Sequence, residues 1–361
     1  MKILYLINQV LVSNGAANVV FNIISNQVHE CSQIDVLTLV DKKPSLENRI
    51  KSLGCGFKII GYRYNPFILF RLIKEFSKYD VVHVHLFPSF YWAAIASFFI
   101  RKNIKLVVTE HSTWNNRRKY HIFKYIEKII YRRYDKIIAI STAIKRQLVA
   151  NGVSIEKVKV IYNGIDIQNM ENAIPLTRDE IDLPLNAFVI TQVARFSSEK
   201  DQETLIRSMK YFPESFYVVF VGGGKLMQKH VEMAKSLGVI DRIRFLGTRN
   251  DVASILKISN VIVQSSHFEG FGLAAVEGMS VGKPVVASDV EGMNEVVKGA
   301  GLLFKPHNDY ELASLILKLY EDVDYYNTVA QLCKERSSIF DVKNMASQYM
   351  AIYNEITSHT K

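Results

Sequence analysis

Apolar residues in this chain of 361 residues gather in short blocks separated by longer stretches with helical spacing, and the alternation continues along most of the length. The blocks at Ile3 to Ile7, Asp35 to Val40, Lys58 to Ile60, Val81 to His85, Leu106 to Thr109, Lys136 to Ile140 and Lys159 to Tyr162 predict the strands of one parallel sheet. A second series follows at Phe188 to Val193, Tyr217 to Val221, Ile243 to Leu246, Val261 to Gln264, Val285 to Ala287 and Gly301 to Phe304. Strand and helix in strict alternation predict an α/β chain of two doubly wound domains, facing each other across a cleft. We place the first domain at 1–167 and the second at 187–341. Residues 168–186, polar, with Pro175 and Pro184 and no clear period, are expected to connect them. From Asn308 onward the pattern is helical, with Leu312, Leu315, Ile316 and Leu319 on one face.

The densest chemistry lies in SSHFEGFGLAAVEGMSVGKPVVASD, which starts at Ser265. A strand (NVIVQ) leads into a Gly270-Phe271-Gly272 turn, and a helix starts near Leu273, so the backbone N–H groups of Phe271, Gly272 and Leu273 are offered to an anion. Glu269 falls on the loop at the C-terminal edge of the sheet, and Glu277 falls inside the helix. Two carboxylates around such a turn suit a phosphorylated, polyhydroxylated ligand, one reaching a sugar and the other a ribose. Spacing alone equally allows Glu269 as a helix cap and Glu277 as a solvated helix charge. Gly282 can end the helix, Pro284 can set the turn into VVAS, and the DVEGMNE loop returns to the same edge.

Five further stations stand in order before this one. MKILYLINQ leads to Ser13-Asn14-Gly15-Ala16-Ala17; VTEHST carries His111; IIAISTAI carries Ser141; VIYNGID carries Asn163, Gly164 and Asp166; VARFSSEKD carries Arg195 and Lys200. Together the six resemble glycosyltransferase family 4, the retaining sugar-nucleotide-dependent transferases of GT-B fold, and in particular bacterial capsular, exopolysaccharide or lipopolysaccharide enzymes. The resemblance covers nearly the whole chain. It implies two Rossmann-like domains, an acceptor domain first and a nucleotide-sugar domain second, with a last helix at about 342–361 crossing back onto the first.

It also implies roles. Charge develops on a departing nucleoside diphosphate, and Arg195 and Lys200 would hold it. Glu277 would take the ribose hydroxyls and Glu269 those of the sugar, while His111 would hydrogen-bond the sugar near C6 and Gly15 and Ala16 would let the backbone approach the diphosphate. His83 and His85 in VVHVHLF compete with His111 for that place. Ser141 would touch donor or acceptor; Asn163, Gly164 and Asp166 would shape the interdomain turn. Gly222, Gly223 and Arg249 lie on loops where the base would dock. The expected reaction is front-face displacement that needs no cofactor beyond the donor, with UDP favoured over GDP. No metal is expected either, since Asp322-Val323-Asp324, the nearest Asp-x-Asp, falls in a helical region. Three departures stand out: Ala16 where a second glycine is usual, Gly278 where alanine is common, and Glu291 near the sugar-facing loop. A sugar-nucleotide epimerase, a phosphorylase (for which no cofactor lysine station is found) and a non-catalytic nucleotide-sugar binder remain as alternatives.

Composition adds one distinction. Residues 1–170 hold 25 Lys and Arg against 11 Asp and Glu, a net +14, whereas residues 171–361 hold 20 against 24, a net −4. The cations are interleaved with aromatics at Tyr62 to Phe76, Phe87 to Lys102 and Trp114 to Lys136, a mixture suited to the headgroups of an anionic bilayer. The same mixture suits nucleic acid, but no zinc pattern, RNA-binding sheet signature or recognition helix accompanies it; ordinary sheet-packing helices also have it. The longest apolar run, Phe90 to Ile100, is too short to span a membrane, and the first residues form a strand pattern without a secretory leader. Three scattered cysteines suggest neither a disulfide framework nor a metal site. The expectation is a cytoplasmic protein peripheral to the inner membrane face, with a polyprenyl-diphosphate-linked glycan as acceptor and no nucleic-acid partner.

Overall fold

The structure is a computed structural model that describes residues 1–12, 14–40, 45–61, 63–112 and 121–358, without the side chains of residues 121 and 124. Ser13, Tyr62 and the 114–120 part of the third basic aromatic stretch lie outside the described residues. All thirteen expected strands form: β1 (Lys2–Ile7), β2 (Gln33–Thr38), β3 (Gly56–Ile59), β4 (Val81–His85), β5 (Lys105–Glu110), β6 (Lys136–Ala139), β7 (Val158–Val160), β8 (Phe188–Val193), β9 (Phe216–Val221), β10 (Ile243–Phe245), β11 (Val261–Gln264), β12 (Val285–Ser288) and β13 (Leu302–Phe304). They build two all-parallel sheets, ordered β3-β2-β1-β4-β5-β6-β7 and β10-β9-β8-β11-β12-β13. Central strands such as β4, β11 and β12 are buried along their whole length, because helices cover both faces of a parallel sheet.

The chain divides into two compact units, Met1–Gly164 with Val342–Lys361, and Ile165–Asp341. In the first, the helix Val342–Ser358 packs against the helix Gly15–Gln27 and buries Met345, Tyr349, Tyr353 and Ile356. Its Tyr349 and Tyr353 hydroxyls reach Thr109, Tyr5 and His83 of the first sheet.

Residues 168–186 are not a bare connection. They begin in the helix Ile167–Asn172, and further on Ile181 and Leu183 join Val189, Val219, Val221 and Ile255 in the core of the second unit. The Arg178 guanidinium caps the carbonyls of Pro184, at 3.3 Å, and Ala187. Ile181 and Leu183 stand among polar residues and show no period, yet both are buried in that core, with Leu176 packed against it. That is why the pattern missed them.

Candidate functional site

The second sheet reverses its strand order between β8 and β11, and the loops leaving the carboxyl ends of such neighbours part to open a crevice. The loop after β8 carries Arg195 and Lys200; the loop after β11 carries Glu269. Arg195 is exposed. Lys200 Nζ forms an ion pair with Glu269 Oε2, the two side chains being 19% and 18% exposed, and sits 3.4 Å from Ser266 Oγ. Polar groups that sequence reasoning did not single out hold the loops in place. Asp201 N donates to the Ser265 carbonyl at 3.1 Å, Ser265 Oγ to the Asp201 carbonyl at 2.5 Å, Gln192 Nε2 to the Ser265 carbonyl at 3.1 Å, and Ser266 N to Ser288 Oγ at 3.0 Å. A run of serines carries no signal of its own until the strands that end beside it are paired.

Glycine shapes the turn that follows. Gly272 has φ +97° and stands at the N-cap of the helix Leu273–Ser280 with no side chain capping the first N–H groups. Phe271 is buried against Phe340, with ring centroids 5.3 Å apart, so its side chain anchors the turn from below. At Gly292, φ is +83° and a Cβ would stand 2.5 Å from the Glu269 carbonyl oxygen, so the DVEGMNE loop lies directly on the Glu269-Gly270 backbone. Gly278, one of the departures from the family pattern, has a packing reason, since a Cβ there would meet Ile262 Cγ1 at 2.8 Å. Glu277 is partly buried, makes no ion pair among the described residues, and its carboxyl is pushed up to about 7 by burial.

The remaining expected residues of this unit divide. Gly222, with φ +139°, would place a Cβ 2.1 Å from the Ala194 carbonyl, and Phe196 N donates to the Gly223 carbonyl at 3.0 Å, so these glycines bring the loop after β9 onto the loop carrying Arg195. Gly224, not singled out from the sequence, does the same against Phe196, at 2.3 Å. Arg249 is committed to a two-pronged pair with Asp251, Nε to Oδ1 at 2.8 Å and Nη2 to Oδ2 at 2.5 Å. Among the described residues one group combines metal-ligand side chains: Asp201, His267 and His307, with ligand atoms within 4.8 Å of one another. The Asp201 carboxylate already caps a helix, accepting from Thr204 N at 3.2 Å and Thr204 Oγ1 at 2.6 Å. Asp322 likewise caps the helix Val323–Ser337, through Tyr325 N at 2.9 Å.

In the first unit, His111 follows β5 and is partly exposed, with Nε2 2.9 Å from His85 Nδ1. Gly15 and Ala16 open the helix Gly15–Gln27, whose N-cap Asn14 accepts from Ala16 N at 3.0 Å. Ser141 is fully buried and caps the helix Thr142–Ala150 through Ile144 N at 3.3 Å. Asn163 is buried with Oδ1 unpartnered, and Gly164 N lies 3.1 Å from Met345 Sδ. Asp166 starts the helix Ile167–Asn172 of the second unit by accepting from Asn169 N at 2.9 Å. Ser141 and Asp166 thus each cap a helix.

Residues 13–169 match the family described as Glycosyltransferase Family 4, and residues 174–336 match Glycosyl transferases group 1. An uncharacterized glycosyltransferase of Methanocaldococcus jannaschii is 29% identical over 311 residues, 83% of this chain and 82% of that one. The Escherichia coli UDP-Gal:alpha-D-GlcNAc-diphosphoundecaprenol alpha-1,3-galactosyltransferase is 26% identical over 284 residues, 74% of this chain and 73% of that one. The crystal structure of Anabaena HepE in complex with UDP-glucose superposes with a TM-score of 0.86 at 25% identity, covering 98% of this chain and 100% of that chain. With matching sequence along both units, two parallel Rossmann-like sheets and a charged, glycine-built crevice in the second, the chain belongs to glycosyltransferase family 4 and is a GT-B hexosyltransferase.

Proposed function

We propose that this enzyme moves a hexose from a UDP-sugar to a polyprenyl-diphosphate-linked glycan, with retention of configuration, in the synthesis of a bacterial surface polysaccharide. The observation that carries the reading is the Lys200–Glu269 pair at the strand-order reversal of the second sheet. A cation and a carboxylate that neutralise each other without ligand are the groups a sugar diphosphate would separate, Lys200 turning to the phosphate and Glu269 to the sugar hydroxyls. Arg195 adds a second cation, and the N–H groups at the start of the helix Leu273–Ser280 add a fixed positive potential. These groups stabilise the leaving diphosphate, so the reaction does not require a metal. Glu277 takes the ribose hydroxyls. The acceptor hydroxyl attacks from the leaving-group face and passes its proton to the departing phosphate oxygen, while His111 holds the sugar.

The donor choice is supported by the UDP-glucose bound to HepE, and the acceptor by the diphosphoundecaprenol substrate in the name of the Escherichia coli relative. Among the described residues no helix is long and apolar enough to cross a membrane. Exposed Phe67, Phe70, Phe98, Phe99 and Tyr125 on the basic first unit support peripheral attachment to the cytoplasmic face. The test is transfer of radiolabelled hexose from UDP-glucose, UDP-galactose and their N-acetyl forms to undecaprenyl-diphosphate-GlcNAc in anionic vesicles, with and without EDTA. EDTA-resistant label in the lipid phase with the anomeric configuration kept is the expected result. Release of free sugar without acceptor would replace the reading by hydrolysis or epimerisation. Equal binding to neutral and anionic vesicles would remove the membrane part.

A further inference from the structure

His83 and His85 lie on one face of β4, a strand with no exposed residue. Tyr5 of β1 is in register with His83, and Thr109 of β5 with His85; His111 follows two residues beyond Thr109. Five polar side chains thus cross the middle of a sheet whose other central positions are aliphatic. They sort into two hydrogen-bonded chains.

The first chain has a fixed direction. The Ala346 carbonyl can only accept, so Gln27 Nε2 donates to it at 3.1 Å and Gln27 Oε1 takes the Tyr5 hydroxyl proton at 2.6 Å. Tyr5, its proton spent, accepts from Tyr353 at 3.1 Å. Tyr353 in turn accepts from His83 Nδ1 at 2.6 Å, which leaves His83 Nε2 as the bare nitrogen that takes the Thr109 proton at 2.8 Å. Thr109 accepts from Tyr349 at 3.2 Å. One backbone carbonyl therefore orders every proton in the series and holds the His83 ring, which packs on the His85 ring at 4.2 Å between centroids.

The second chain is short: His85 Nδ1 to His111 Nε2, 2.9 Å. His85 is fully buried and its Nε2 has no partner. Burial holds both rings neutral, His85 well below the usual histidine range and His111 down to about 4, so a single proton lies between them. If His111 supplied that proton, His85 would carry its own on the buried, unpartnered Nε2. An orphaned N–H in a protein interior is rarer than an orphaned acceptor lone pair. We propose that His85 donates from Nδ1 to His111 Nε2 and so fixes His111 in the Nδ1–H tautomer, a positioning residue that makes His111 a hydrogen-bond donor toward the bound sugar and not a base. The inference deepens the proposed function, since it rests on His111 contacting the donor; the tautomer itself does not.

The full chain, labelled with 15N in its histidine rings, reports the tautomer directly in two-bond 15N–1H correlation spectra. His111 protonated at Nδ1 is the expected result, kept in His85→Asn, whose amide nitrogen replaces Nδ1, and lost in His85→Ala. Transfer should follow the tautomer, with kcat lower by about 10-fold to 100-fold in His85→Ala at little-changed KM, restored in His85→Asn, and no worse in the double variant with His111→Ala. His111 protonated at Nε2 in the unsubstituted protein, or an unchanged tautomer in His85→Ala, would overturn the proposal. If His85→Ala does not fold, His85→Gln, which fills the site with its amide displaced from Nδ1, serves in its place. Unchanged transfer in His111→Ala, together with the tautomer shift, would leave His85's role standing and remove His111 from the proposed reaction.

Discussion

In the second unit, β8 and β11 part to expose Arg195, the Lys200–Glu269 pair and a turn made of glycines; in the first, β1 and β4 part at the same step of the same strand order, and the chemistry is neutral and buried. Tyr5, His83, His85 and Thr109 are at most 1% exposed; Tyr5, His83 and Thr109 hydrogen-bond one another, Gln27 or the C-terminal helix, and His85 pairs with His111. Topology supplies a crevice twice, because reversing the strand order sends neighbouring loops apart wherever it occurs. What the crevice does depends on whether its loops carry charge and glycine, which admit phosphate, or side chains that consume each other's hydrogen bonds. In the function proposed above, the first kind serves as an anion site and the second as a rigid support for one residue at its edge, His111.

Four substitutions probe that contrast. Lys200→Ala removes the cation proposed to face the leaving phosphate and should lower kcat/KM by about 10² to 10³, on the order of 3–4 kcal/mol, with a melting temperature near that of the unsubstituted enzyme; activity within threefold would break the contrast. Gly292→Ala puts a Cβ 2.5 Å from the Glu269 carbonyl at φ +83°, so urea unfolding should show a loss of roughly 3 kcal/mol, and UDP-induced stabilisation should shrink with it.

Glu277 ties the second site to pH. Its folded pKa of about 7 lies above the ordinary 4.5, so the carboxyl is neutral in both states at pH 4. Between the two values the unfolded chain ionises first, and stability falls as pH rises through 7, by no more than about 3 kcal/mol. Glu277→Gln should therefore be more stable than the unsubstituted protein at pH 8, with the gap closing by pH 5, while its response to UDP weakens. A gap that does not change with pH would mean that Glu277 is not held in an environment hostile to its charge. In the first unit, Tyr353→Phe strips His83 Nδ1–H of its acceptor and should cost about 1–2 kcal/mol by urea unfolding, with donor binding unchanged.

Much of this was legible in the residues. All thirteen strands appeared as apolar blocks, most clearly those at the middle of each sheet, because parallel strands there are buried on both faces. Glu269, Glu277 and the glycine turn stood out because they are adjacent in the chain. The glycines at 224, 278 and 292 carried no readable purpose, since what they make room for, Phe196, Ile262 and Glu269, lies 16 to 28 positions away. Arg249 read as a residue of the loop where the base would dock, and its pairing with Asp251 two residues later was not part of that reading.

The sequence by itself determined the alternating elements, the two parallel sheets, the charge difference between the halves and the family's residues in order, because each rests on neighbours along the chain or on composition. Only the tertiary structure decided that Lys200 pairs with Glu269, that Ile181 and Leu183 of the 168–186 stretch join the core of the second unit, and that Tyr353, 270 positions beyond His83, completes the hydrogen bonds of β4. Those contacts join residues far apart in the chain, and whether a charge is paired or a histidine neutral depends on what burial places beside it.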